Sequence, residues 1–286
     1  MNRNSIILVL ISGLFLVTCS APTTPTISST QTPRKTIETS IPTSTKIITA
    51  TITPTETKIP STATLTPAIN VTKSGYIASD ETWRDEIHIT GDITIAPNAT
   101  LTIEPGTTVY IASFSDDQHG GEAWADEYVL GHGDPTGHNE WKKNAISITG
   151  RIMAVGTKEA PITFTSEGDS TSTAQWDSIV MTDGKLKHCI VENTQIGVNI
   201  QGPDVEIGHC TIRNNLWVSV DIHATDVWVH HSHLSGGGHQ TMGIFKSNAL
   251  VEHNVLTSGH QGIFVNGGDG IVIRNNVFLN NGSGID

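Results

Sequence analysis

From Leu186 to the end of the chain, apolar and polar residues alternate in a pattern that repeats. Val205, Val227, Ala249 and Ile271 form one apolar column, and Ile207, Val229, Val251 and Ile273 form a second two residues later. Glu206, Trp228, Leu250 and Val272 lie between them. Alternation at period two with β-branched residues predicts short strands with one face turned inward. The segments LKHCIVEN (from Leu186), IGHCTIRN (Ile207), VHHSHLSG (Val229), VEHNVLTS (Val251) and IRNNVFLN (Ile273) superpose without gaps at steps of 21, 22, 22 and 22 residues. A further strand in each unit is predicted at Gly243-Ile244-Phe245 and Gly262-Ile263-Phe264-Val265. Gly, Asn and Asp between the strands supply tight turns. No stretch carries a helical period. Such units stack as an all-β solenoid, a parallel β-helix of about 22-residue coils, each coil pairing with the next about 4.8 Å along the axis. A leucine-rich repeat of this length would need a Leu and Asn spacing that is missing.

The repeat ending in IRNNVFLNNGSGI (residues 273–285) resembles those of the pectate-lyase-like superfamily of right-handed parallel β-helices. ITGDITIAPNATLTIEPGTTVYI (89–111) and ITGRIMAVGTKEAPITFTS (148–166) resemble the first coils of bacterial surface β-helix proteins. The resemblance implies a right-handed β-helix over residues 71–286. It says little about activity, because that superfamily holds lyases, hydrolases, epimerases and non-enzymatic surface proteins.

Two columns at one turn follow from the phasing. Cys189, Cys210, Ser232, Asn254 and Asn276 share the position that in related β-helices carries an inward asparagine ladder, whose amides satisfy turn backbone groups. Cys189 and Cys210 on adjacent rungs fall within reach of a disulfide, with two stacked buried thiols as the alternative. The neighbouring column reads His188, His209, His231, His253 and Asn275. It is read as structural stacking, since one ladder places ligands along a line and copper or zinc needs convergence from several directions.

Composition changes the picture at the N-terminus. Arg3 and the apolar run of residues 6–17 form a secretory signal too short to span a bilayer, and Leu16-Val17-Thr18-Cys19 resembles a lipobox. Residues 1–19 are therefore expected to be a lipoprotein signal peptide and Cys19 the lipidated residue, with Thr18 departing from the usual small residue. Thr, Pro and Ser fill more than half of residues 21–70, without an aromatic residue. Residues 20–70 are expected to be a disordered stalk. Five of the 16 basic residues and two of the 28 acidic ones precede Val71, leaving 11 against 26, a net charge of about −15. Such a domain is a poor partner for nucleic acid or anionic membranes, so contact with a membrane is expected through the lipid anchor alone. The repeat is still running at Asp286, so further coils or a covering partner are expected beyond it.

Three places invite chemistry. Asp226-Val227-Trp228-Val229-His230-His231 resembles the Trp-Ile-Asp-His motif of pectate lyases, but His230 stands where their calcium-binding Asp would be. Glu252 and Arg274 follow in that outward column and are the catalytic candidates, a carboxylate beside a guanidinium for proton abstraction. Gly131-His132-Gly133 matches part of a polygalacturonase pattern without its accompanying carboxylates. An acidic insertion at about residues 113–144 carries Asp116, Asp117, Asp126 and Glu127 as a candidate calcium set. Trp124 and Trp141 in that insertion, with Trp228, are the candidate sugar-binding aromatics. The expected function is a surface-anchored β-helix that binds or faces extracellular polysaccharide without catalysis. The alternative is a polysaccharide lyase or glycoside hydrolase. An enzyme predicts convergent carboxylates and a base on adjacent coils; a binding module predicts an aromatic row without them.

Overall fold

The computed structural model describes residues 71–113, 115–117, 145–168 and 174–286. The proposed signal, lipidation site and stalk, together with Trp124, Asp126, Glu127, the tripeptide Gly131-His132-Gly133 and Trp141, lie outside the described residues. The described chain is a right-handed parallel β-helix in which every strand pairing is parallel, and no helix among the described residues is long and apolar enough to cross a membrane.

The first coils contain β1 (Val71–Ile77), β2 (Glu81–Trp83), β3 (Glu86–Ile95), β4 (Leu101–Ile103), β5 (Thr108–Ile111), β6 (Ser147–Val155) and β7 (Ile162–Ser166). Next come the bent strand β8 (Ser178–Lys187) and β9 (Cys189–Glu192). The 89–111 and 148–166 segments are thus coils, and the insertion leaves the helix between β5 and β6. From there each coil has three strands. Sheet A holds β10 (Ile196–Ile200), then β13 (Val218–Ile222), β16 (Gln240–Phe245), β19 (Gln261–Asn266) and β22 (Ser283–Ile285). Sheet B holds β11 (Val205–Gly208), β14 (Trp228–His230), β17 (Leu250–Glu252) and β20 (Val272–Arg274). Sheet C holds β12 (Thr211–Asn215), β15 (His233–Gly236), β18 (Val255–Thr257) and β21 (Val277–Leu279).

Register agrees with the sequence repeat. Leu186 pairs with Ile207, Ile207 with Val229, Val229 with Val251 and Val251 with Ile273, reproducing the steps of 21 and 22 residues. The inward columns are continuous. Ile148, Ile179, Val198, Val220, Met242 and Ile263 stack in sheet A; Phe164, Val191, Ile212, Leu234 and Leu256 stack in sheet C; all are fully buried. The same inward positions recur from layer to layer, so the core is built by repetition rather than by one central cluster.

The turn between sheets B and C is two residues long in the repeated coils, and its first position is left-handed. His188, His209, His231, His253 and Asn275 all occupy that position with φ between 49° and 57°. That left-handed conformation is costly for most side chains and favours Asn among non-glycine residues. The next residue turns inward. Asn254 Oδ1 accepts from the Ser232 amide at 2.9 Å, its Nδ2 donates to the Val229 carbonyl at 2.9 Å, and Asn276 repeats the pattern one coil on. Ser232 Oγ accepts from the Cys210 amide, so the ladder continues through a hydroxyl. Cys189 and Cys210 end it as buried free thiols, each with two carbonyls within hydrogen-bond reach of its sulfur at 3.3–3.4 Å. Burial pushes the Cys189 thiol well above its ordinary value, and neighbouring Cys210 raises it further.

Candidate functional site

Side chains that leave the helix from sheet B form two outward columns. One runs Lys185, Glu206, Trp228, Leu250 and Val272; the other runs Lys187, Gly208, His230, Glu252 and Arg274. Glu206 is gripped between coils: Lys185 Nζ lies 2.7 Å from one oxygen, and Lys187 Nζ at 3.0 Å and His230 Nε2 at 3.3 Å share the other. Burial alone would raise this carboxyl, but the bonds from Lys185, Lys187 and His230 outweigh it and hold it at about 2.

His230 owes its position to a missing side chain. A Cβ on Gly208, one coil below, would stand 2.5 Å from Cε1 and 2.6 Å from Nε2 of the imidazole. The ring fills that space, covered on one face by Trp228 at 3.9 Å between centroids, and is 4 % exposed. Its Nδ1 faces His231 Nδ1 at 3.0 Å. Burial lowers the His230 imidazole against the opposing pull of Glu206; it lowers His209 too, with the neighbouring His188, His231 and His230 adding to the effect. Both imidazoles therefore favour the neutral form.

The histidine column stacks as expected. His188 and His209 lie 4.8 Å apart, His209 and His231 5.0 Å, and His231 and His253 4.9 Å, with interplanar angles of 14–22°. Sequence reasoning missed the side-on ring. His230 stands at 88° to His209 and 83° to His231, beside the line rather than on it. A legible signal exists in the pairing of Gly208-His209 with His230-His231 one coil later, which leaves room for a single extra ring outside the column. Among the described residues, His209, His230 and His231 are the group of three metal-ligating side chains whose ligand atoms all lie within 4.8 Å of one another.

The two catalytic candidates meet, but as a closed pair. Arg274 Nε donates to Glu252 Oε2 at 2.7 Å and Trp228 Nε1 donates to Oε1 at 3.1 Å. The bond from Arg274 holds the carboxyl below its ordinary value, which weakens it as a base. Trp228 is 38 % exposed. Asp116 and Asp117 come together over Gly91: Asp116 Oδ1 accepts from the Asp92 amide at 3.2 Å and Asp117 Oδ2 from Thr90 Oγ1 at 2.7 Å.

Sheet A presents a second outward surface that no sequence motif marks. Asp221 is buried, with Oδ2 held by His223 Nε2 at 2.8 Å and Oδ1 without a hydrogen-bond partner among the described residues. The His223 ring lies flat on Phe245, 4.7 Å away at 3°, and Phe245 meets Phe264 at 5.8 Å. Gln201 Nε2 donates to Asn199 Oδ1 at 2.6 Å on the coil below. Asp177, at the start of the same sheet, is fully buried; burial pushes its carboxyl up to about 6 against hydrogen bonds from Ser147 and Ser178. Through Val180 and Asn199 the register places Asp221 three residues and two coils from Asp177. That is about 10 Å in each direction, or roughly 14 Å between them, given 3.3 Å per strand residue and 4.8 Å per coil. Paired glycosidase carboxylates stand about 5–9.5 Å apart, so these two do not form such a pair.

Residues 174–286 match the family model described as a right-handed β-helix region. The match begins just before β8 and covers every three-stranded coil. No curated protein and no solved structure matches the chain significantly. The family description concerns the fold, and residue roles rest on the geometry above.

Proposed function

We propose that this β-helix is a surface-anchored module that binds extracellular polysaccharide without catalysis, in the manner of the surface proteins of the pectate-lyase-like superfamily. The observation that carries the reading is the aromatic row on sheet A. His223, Phe245 and Phe264 come from three successive coils, and their partly exposed rings adjoin the amides of Asn199 and Gln201. The outward edges of the stacked His223 and Phe245 rings and the tilted ring of Phe264, beside fixed hydrogen-bonding groups, suit contact with a sugar chain running along the axis. The closed Glu252–Arg274 pair and the wide separation of Asp177 from Asp221 weigh against the lyase and hydrolase alternative. Trp228, half covered by His230, adds an aromatic edge on sheet B.

Anchoring belongs to the same reading: the lipobox-like Leu16-Val17-Thr18-Cys19 would fix the chain to the outer face of a bacterial membrane, and the Thr- and Pro-rich segment would lift the β-helix away from it. The test is retention of the protein on immobilised neutral and acidic polysaccharides, with Phe245→Ala beside the unaltered chain. Binding is expected, with at least a fivefold loss in the variant. Absence of retention on every glycan, or formation of unsaturated products from polyuronides, would overturn the proposal. Cys19→Ser should release the protein from the membrane fraction.

A further inference from the structure

We infer that His209, His230 and His231 form a binding site for a divalent first-row transition-metal ion, with Glu206 as the carboxylate that orients His230. A ladder of stacked imidazoles alone would not suffice, because its nitrogens lie in a line. Here two adjacent coils contribute from two directions. Successive strand residues point to opposite faces, but the left-handed turn at His231, with φ 49°, swings its side chain outward beside that of His230. The two Nδ1 atoms consequently face each other at 3.0 Å, and the ring of His209 closes the group from the coil below.

Zinc–imidazole bonds of about 2.0–2.1 Å in a tetrahedral arrangement put ligand nitrogens about 3.3 Å apart. The His230–His231 pair is near that separation already, and the third nitrogen, within 4.8 Å, reaches it by rotating an exposed ring. Tautomer and orientation are prepared as well. Glu206 accepts from His230 Nε2, which leaves the Nδ1 lone pair directed at the site. A carboxylate behind a ligating histidine is the common outer partner of metal-bound imidazole, and Glu206 is itself pinned by Lys185 and Lys187. Gly208 completes the arrangement, since any side chain there would displace the His230 ring. Three imidazole nitrogens select borderline ions such as Zn²⁺, Cu²⁺ and Ni²⁺ over the oxygen-seeking Ca²⁺ and Mg²⁺. His209 and His231 are exposed, so a fourth position opens to solvent.

Titration of the purified full chain with Zn²⁺ by calorimetry, and with Co²⁺ by visible absorption, tests the site. One equivalent should bind with micromolar or tighter affinity, and bound Co²⁺ should show the absorption of a four- or five-coordinate nitrogen site. His209→Asn and His231→Asn keep the left-handed turn, as Asn275 does at φ 56°, and each should weaken binding at least tenfold. His188→Asn and His253→Asn, in the same column but outside the group of three, should stay within twofold. Three outcomes would overturn the inference: no stoichiometric binding, binding unchanged by His209→Asn and His231→Asn, or an equal loss in all four variants. The second would place the metal elsewhere, for instance on His119, His132 and His138. The third would mark a diffuse imidazole surface.

Discussion

Replacing Asn254 by Ala removes the rung on which the inward turn depends most. Asn254 is 1 % exposed and satisfies two backbone groups that no solvent reaches: it accepts from the Ser232 amide and donates to the Val229 carbonyl, both at 2.9 Å. It also donates to Asn276 Oδ1 at 3.1 Å. Stranding a buried donor or acceptor costs about 1–3 kcal/mol each, so two stranded groups and the small void left behind predict a loss of about 3–5 kcal/mol. That is a large share of the ~5–15 kcal/mol by which a folded domain exceeds its unfolded state. Equilibrium urea unfolding followed by far-UV circular dichroism reads the loss. Amide exchange at Ser232, whose N–H donates to Asn254 Oδ1, should accelerate by a comparable free energy. Asn276→Ala, at a half-buried rung, should cost less. A loss below ~1 kcal/mol for Asn254→Ala would show that the ladder contributes little to the fold.

Three further predictions rest on burial and charge. Burial pushes the Asp177 carboxyl from its ordinary 3.8 up to about 6, so the fold prefers the protonated form and stability falls as pH rises from 3.8 through 6; Asp177→Asn should gain about 3 kcal/mol at pH 7 and nothing near pH 3, measured by urea midpoints. Loss of stability in the variant at pH 7 would contradict this. Glu206 has the opposite sign: held at about 2, below 4.5, it contributes stability fully above 4.5, and that contribution is lost as pH falls through 2; Glu206→Gln should flatten thermal stability between pH 4.5 and 2, whereas an unchanged profile would show that the lysines do not hold it. Cys189 and Cys210, buried as free thiols, should react with an aromatic disulfide reagent only as fast as the β-helix opens, so rapid labelling of both in native buffer would contradict their placement.

The fold is legible in the sequence because its information is local and repeated. A single inward column such as Ile207, Val229, Val251 and Ile273 fixes strand phase, and the gapless spacing fixes which residues pair across coils. The coils after residue 186 can therefore be registered from the repeat alone, and the glycines and asparagines at the turns agree. Placement of Glu252 beside Arg274 follows from the same register. What that placement means does not follow, because the distance and the Trp228 bond that close the pair depend on rotamers. His230 escapes for a related reason: alternation assigns it an outward column, but only the space above Gly208 and the left-handed His231 bring it against the histidine stack. The sheet A row is hidden in the sequence because its rings lie on different columns, Phe245 leaning over Gly243 to reach its neighbours.

The short turn between sheets B and C constrains how such a molecule can vary. A loop inserted there would break the hydrogen bonds that tie each inward rung to the next, so that edge accepts exchange of side chains and refuses changes of length. Length does change elsewhere along the chain, where residues 112–146 separate β5 from β6. Chemistry on the inflexible edge is therefore written as on a ruled line, one residue per coil at a constant interval. A duplication of one coil would copy the mark along with the ruling, and extend a histidine edge without redesigning anything beneath it.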